Sequence, residues 1–259
     1  MAFQFIKYEK KGHLAYVTIN RPEVFNALHP PANHEMSDAW DDFNQDPECW
    51  IGIVTGAGDK AFSAGNDLKF TAQHGVGALK LKHGGFGGLT SRFDCFKPII
   101  AAVNGFALGG GFEIALASDI IIAADHARLG LPEPTVGLMA GAGGVHRLPR
   151  QIPEKIAMGM ILTGRHITAQ EALSFGIVNQ VVPLKDLMAT AEKWAEDIMK
   201  CAPLSVRASK ESAMLGLNYT LEEAMTREYA CLKQMHASED TIEGPKAFAE
   251  KRKPQWKGR

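Results

Sequence analysis

Two glutamates in this sequence stand beside glycine-rich turns. Glu113 follows Gly110 by three residues, in the first turn of a helix expected over 112–118, and Glu133 lies between Pro132 and Pro134 on a loop that the prolines hold in one conformation. Ser63-Ala64-Gly65-Asn66-Asp67 and Leu108-Gly109-Gly110-Gly111 each follow an expected strand and lead towards helical residues, so each can expose backbone N–H groups. Such preorganised amides suit one oxyanion, as a thioester carbonyl becomes when it takes up negative charge, and each is worth about 3 kcal/mol in the transition state. Two carboxylates fixed in one partly apolar pocket can divide the acid and base work, one accepting a proton from water and one giving a proton to carbon. Plainer readings exist: the triple glycine can let a helix pack closely on a strand, and either glutamate can be a helix-dipole partner or a solvated loop charge.

Three further groups have the right chemistry for a ligand. Gly141-Ala142-Gly143-Gly144 precedes Val145-His146-Arg147 and can present an amide to a bound water or simply open a helix; spacing alone leaves both open. His146 and Arg147 near this turn suit a phosphate, but charges on a helix surface are the more common explanation. Phe248, Lys251, Arg252 and Lys253 form an aromatic-basic cluster in the last helix, fit for a nucleotide phosphate or for the helix dipole.

The elements that must position these residues read as mixed α/β. Strands over 3–9 and 14–19 around Lys11-Gly12 predict an opening hairpin, and Met36, Ala39, Trp40 and Phe43 recur at helical spacing before an apolar strand over 50–54. His83 and Gly84 to Gly88 mark a flexible stretch ahead of a short helix ending near Lys97-Pro98. Strand 99–103, the helix after Gly111 and strand 120–123 repeat the strand, helix, strand order, which implies crossover units with active-site loops at strand ends. From Lys185 the texture turns helical, over 187–199, 204–215, 221–235 and 239–253. This divides the chain into a core at 1–195 and a helical region at 196–259, too thin to bury itself and so expected to pack on the core or on a neighbouring subunit.

Lys and Arg number 28 against 29 Asp and Glu, so no overall field favours nucleic acid or an anionic membrane. Cys49, Cys95, Cys201 and Cys231 are scattered, which supports neither disulfides nor zinc and reads as reduced thiols of a cytoplasmic protein. No stretch approaches the ~20 apolar residues of a membrane span. The G-x-G-x-x-G of a dinucleotide fold is missing from the first crossover, which argues against a dehydrogenase.

Taken in order, Ala64-Gly65-Asn66-Asp67-Leu68-Lys69, the run from Ala102 through Asn104-Gly105-Phe106-Ala107-Leu108-Gly109-Gly110-Gly111-Phe112 to Glu113, Leu131-Pro132-Glu133 and Gly141-Ala142-Gly143-Gly144 resemble the crotonase (enoyl-CoA hydratase/isomerase) superfamily. Arg21-Pro22 with Asn26-Ala27-Leu28, and Thr163-Gly164-Arg165 with Gly176-Ile177-Val178, extend the resemblance over essentially the whole chain. It implies an α/β spiral of ββα units with C-terminal helices that build trimers or dimers of trimers. Oxyanion-hole amides are then expected at Asn66 and Gly110, catalytic carboxylates at Glu113 and Glu133, and a water-positioning role at Gly141. Coenzyme A contacts are expected at Asn26, Ala27, Ala64, Asp67 and Leu68, and at Phe248 and Lys251 from a neighbouring subunit. The implied reaction adds water to a 2-enoyl-CoA or removes it, with no cofactor beyond the coenzyme A of the substrate; isomerisation or thioester hydrolysis is the alternative. For a cationic acyl group, Phe70, Phe86 and Trp256 are candidate aromatic walls.

Overall fold

The computed structural model describes residues 3–259. The expected hairpin forms, but its first strand lies later than 3–9: β1 (Ile6–Lys11) pairs antiparallel with β2 (Leu14–Ile19) up to Lys11 opposite Leu14, across Gly12, whose φ of +56° a glycine adopts freely. Helix α1 (Pro30–Gln45) buries Met36, Ala39, Trp40 and Phe43, the spacing seen in the sequence, and carries the chain over to β3 (Ile51–Gly56), parallel to β2.

From there the chain winds in repeated turns. β3 is followed by β4 (Ala61–Ser63) and α2 (Leu68–His74); β5 (Ile99–Val103) by β6 (Phe106–Leu108) and α3 (Gly110–Ala117); and β7 (Ile120–Ala124) by β8 (Arg128–Gly130) and α4 (Gly144–Gln151). After α5 (Glu154–Thr163) come β9 (His166–Thr168), α6 (Ala169–Ser174) and β10 (Gln180–Val182). One sheet has the order β1-β2-β3-β5-β7-β10 and the other β4-β6-β8-β9. Each turn thus gives one strand to each sheet, and the two sheets advance in step, which is a spiral of ββα turns. β5, with the sequence IIAAV, is buried along its whole length, as a strand covered on both faces must be.

The bend from β3 into β4 is held by two buried asparagines. Asn104 accepts from the Gly56 N–H (3.1 Å) and donates to the carbonyls of Gly56 (2.9 Å) and Gly58 (2.8 Å), while Asn26 donates to those of Ala57 (3.0 Å) and Ala61 (2.7 Å). Removing such a side chain orphans several buried backbone groups. Asn104→Ala is therefore expected to lower unfolding free energy by about 2–3 kcal/mol. Urea denaturation checks this, and a loss below about 1 kcal/mol would mean that the bend holds itself.

By compactness the chain up to Phe93 together with Ile99–Glu192 forms one unit, and Asp94–Pro98 with Lys193–Arg259 a second. All ten strands of the described residues lie in the first. After α7 (Leu187–Met199), the second contains α8 (Pro203–Gly216), α9 (Leu221–Thr226), α10 (Ala230–His236) and α11 (Asp240–Ala249). Within it the buried Glu211 accepts the Cys231 N–H at 2.6 Å. The expected single helix over 221–235 is two, because Arg227 and Tyr229 are extended (ψ 147° and 136°) and the buried Tyr229 donates its hydroxyl to Ala224 O (2.9 Å). The last helix stops at Ala249, short of 253, and Lys251 has φ +54°.

The stretch after His83 departs furthest from expectation. No helix forms before Lys97-Pro98, because the buried Arg92 side chain satisfies the loop carbonyls: its Nε donates to Gly88 O (2.7 Å) and its Nη1 pairs with Asp41 (2.7 Å). The glycines are packed, not loose. Gly87 donates its N–H to Asn33 Oδ1 (2.7 Å), and a Cβ on Gly88 would lie 2.7 Å from Ser37 Cα.

Candidate active site

The slot between two glycine turns comes first. Leu28 bridges the strand-like Gly65 to Asp67 segment by donating to Gly65 O (2.8 Å) and accepting from Asp67 N–H (3.1 Å), a pairing that leaves the Asn66 N–H out. Gly65, at φ +84°, comes so close to the next turn of the spiral that a Cβ there would sit 2.7 Å from Leu108 O and 2.8 Å from Gly110 N. Gly110 opens α3, where the first N–H groups of a helix have no intrahelical acceptor. The Phe86 ring packs against Gly110, where a Cβ would overlap it. Two amides that the fold leaves unused, Asn66 and Gly110, are brought to adjoining edges. The Asn66 side chain is turned to α2, donating to Thr71 Oγ1 (2.8 Å).

Both glutamates meet at this slot. Glu113, 3 % exposed, receives the Gly144 N–H at 2.8 Å, and the Ala142 amide also bonds it. Glu133 enters from the 3-10 turn Glu133–Val136 and lies over Gly109, whose absent Cβ would stand 2.8 Å from Glu133 Oε1. Its Oε2 is buried with no hydrogen-bond partner among the described residues. Burial, then the neighbouring Glu133 charge, push Glu113 up to about 7 against the pull of the two amides and Arg147; burial pushes Glu133 up as well. A carboxyl drawn out of water beside a second one favours its protonated form. Glu113 has amide donors for its ionised form, whereas no donor among the described residues meets Glu133 Oε2.

This environment has a thermodynamic consequence. A carboxyl raised on folding contributes stability that is present below its unfolded value near 4.5 and lost as pH rises through about 7. Above that, ionised Glu113 strains the fold. Glu113→Gln, which keeps an acceptor for Gly144, is expected to stabilise the protein at pH 8 by about 1–3 kcal/mol and to do little at pH 5. Thermal melts of both proteins at both pH values decide it; equal shifts at the two would rule out a titrating Glu113.

The other residues singled out in the sequence are placed as follows. Gly141 is exposed and its N–H is committed to Met139 O (2.7 Å), so the amides of this loop that reach Glu113 are those of Ala142 and Gly144. The glycine run signalled this loop; only the start of α4 at Gly144 tells which amides point inward. Asn26 is fully buried in the clamp described above, and the Ala27 carbonyl accepts from Arg21. Ala64 is half-buried, its N–H bonded to Phe25 O (2.9 Å), and Leu68 is exposed. Burial alone would raise the Asp67 carboxyl, but the Phe70 amide and Arg21, 3.1 Å away, hold it below its usual value; it caps α2. Phe248, 88 % exposed, and Lys251 lie at the end of α11 in the second unit. Of the aromatic candidates, Phe86 is buried beneath Gly110, Trp256 donates to Lys200 O (2.8 Å), and half-buried Phe70 stacks on His74 (4.2 Å) with His29 at its edge (6.2 Å). No cluster of three potential metal ligands and no helix long and apolar enough to cross a membrane occur among the described residues.

The model of the Enoyl-CoA hydratase/isomerase family matches residues 9–259, and the chain belongs to that family. Among curated proteins it is 44 % identical over 260 residues to the carnitinyl-CoA dehydratase of Salmonella arizonae, with 98 % of each chain covered. It is 42 % identical to that of Proteus mirabilis over 99 % of each. Among solved structures, an enoyl-CoA hydratase from Mycobacterium tuberculosis superposes with a TM-score of 0.91 at 36 % identity, covering 98 % of this chain and 99 % of the other. One from Bacillus anthracis gives 0.90 at 37 %, covering 99 % and 100 %. The crotonase-type α/β fold expected from the sequence motifs is the fold of these proteins.

Proposed function

We propose that this protein is a hydro-lyase that interconverts 2-enoyl-CoA and 3-hydroxyacyl-CoA, acting as a carnitinyl-CoA dehydratase. The observation that carries the reaction is the pairing of buried Glu113 with half-buried Glu133 in unlike surroundings, one held by amide donors and one with a buried, unpartnered oxygen, beside two free amides. In hydration, ionised Glu113 accepts a proton as the water oxygen bonds to the β-carbon. Glu133 gives its proton to the α-carbon, and the charge that builds on the thioester oxygen meanwhile sits on the Asn66 and Gly110 amides. Dehydration reverses each transfer. After either direction the two carboxyls have exchanged their proton states, and solvent resets them.

The acyl group is supported by the 42–44 % identity to dehydratases of that name over nearly the whole chain. Coenzyme A is proposed to lie along Asn26, Ala27, Ala64, Asp67 and Leu68, meeting Phe248 and Lys251 of a neighbouring subunit in a trimer or dimer of trimers. Exposed Leu217, Leu221, Met225, Ile242 and Phe248 of the second unit support assembly, since monomers seldom leave so many large apolar side chains in water.

The test is loss of enoyl-thioester ultraviolet absorbance with crotonobetainyl-CoA and crotonyl-CoA in parallel. Turnover of crotonobetainyl-CoA at least tenfold faster in kcat/KM supports the reading. Faster turnover of crotonyl-CoA would make this a general short-chain hydratase, and no turnover of either would overturn both.

A further inference from the structure

Arg147 is in an unfavourable place for an arginine. It stands in the first turn of α4, where the helix dipole repels a cation, and it is half-buried. The side chain curls back on its own helix start: Nη2 donates to Thr90 O (2.9 Å), and Nη1 covers the face of Gly143, where a Cβ would collide with it. Gly143 holds φ +108°, and its carbonyl accepts the Arg147 N–H at 2.7 Å. The next residue, Gly144, delivers its amide to Glu113. At its other end, Thr90 belongs to the packed loop whose Phe86 lies against Gly110. A cation partly drawn out of water gains from a nearby anion, and the one it feels is Glu113.

We propose that Arg147 is a positioning residue for the hydro-lyase reaction: by tying Thr90 to the Gly143 turn it keeps the Gly144 amide on Glu113, and it supplies the positive charge that this carboxylate faces. The inference rests on the reading of Glu113 as the base for water. The charged groups facing Glu113 are few. Glu133 comes from its 3-10 turn and Arg147 from α4, whose His146 and Arg150 are exposed; β4, β6 and the 3-10 turn Phe86–Gly88, which also pack on α3, carry no ionisable side chain. Among the described residues Arg147 is thus the cation that opposes burial and Glu133 in setting the charge of Glu113.

The test titrates Glu113 in the free enzyme by NMR with carboxyl-13C glutamate, the signal being assigned by its loss in Glu113→Gln. Arg147→Gln is expected to raise the Glu113 midpoint by about one pH unit. It should also lower kcat at pH 7 about tenfold or more, with KM changed less than about threefold. Arg147→Lys should hold the midpoint near wild type while losing part of kcat, because a lysine keeps the charge and not the fork. Gly143→Ala, which leaves Arg147 present but pushes it off the turn, should move the midpoint in the same direction as Arg147→Gln. An unmoved midpoint in Arg147→Gln, or an equal shift in Arg147→Lys, overturns the proposal. Absence of hydration by the wild-type enzyme would overturn the hydro-lyase reading alone, since the titration needs no substrate.

Discussion

Glu133→Ala is expected to lower kcat for hydration by about 10³-fold, some 4 kcal/mol of transition-state stabilisation, while KM changes little. The size follows from what the residue lacks as much as from what it has. Its Oε2 has no donor among the described residues and burial raises its pKa, which favours the protonated form that the proposed transfer to the α-carbon requires. Pro132 and Pro134 fix its backbone, and Gly109 leaves room for the carboxyl over the start of α3. Because that carboxyl makes no structural hydrogen bond through Oε2, its loss should leave the melting temperature unchanged or raised. Steady-state kinetics with melts of the same preparation are the measurement. A fall in kcat under about tenfold, or a loss confined to KM, would remove Glu133 from the chemistry and leave Glu113 to act alone.

The sequence made some of this legible and concealed the rest for physical reasons. Trp40 and Phe43 at helical spacing, the uninterrupted IIAAV of β5 and the turn at Gly12 each report a local constraint, and the helix, the strand and the hairpin all form, the hairpin with its first strand a few residues later than expected. The second sheet gave no such signal. Its strands, such as AFS, FAL and RLG, are three residues long and too short for any alternation to register; what defines them is the neighbouring turn of the spiral. Glu113 and Glu133 stood out through their glycine and proline neighbours. That Ala142 and Gly144 reach Glu113 while the Gly141 amide is engaged by Met139 depends on where α4 begins, a matter of one residue that composition does not resolve. Arg147 looked like a surface charge because its burial comes from folding back over Gly143 and not from any apolar periodicity around it.

Gly65→Ala is the other substitution with a large expected effect, and it tests the oxyanion slot without touching an ionisable group. At φ +84° an alanine is strained whatever surrounds it, and here its Cβ would stand 2.7 Å from Leu108 O and 2.8 Å from Gly110 N. Both are backbone atoms, so relief requires the Asn66 segment and the start of α3 to move apart, and with them the two amides. An oxyanion donor displaced in this way typically costs 10²–10³ in kcat, and that is the expected loss. Backbone strain by itself is separated by Gly176→Ala, at φ +81° with nothing within 4 Å of a Cβ. That variant should lose about 1 kcal/mol of stability and keep wild-type kcat. If Gly65→Ala keeps kcat within about fivefold of wild type, the charge on the thioester oxygen is held somewhere other than between Asn66 and Gly110. If it loses kcat and Gly176→Ala does not, the slot works by the separation of two amides that only a glycine at position 65 allows.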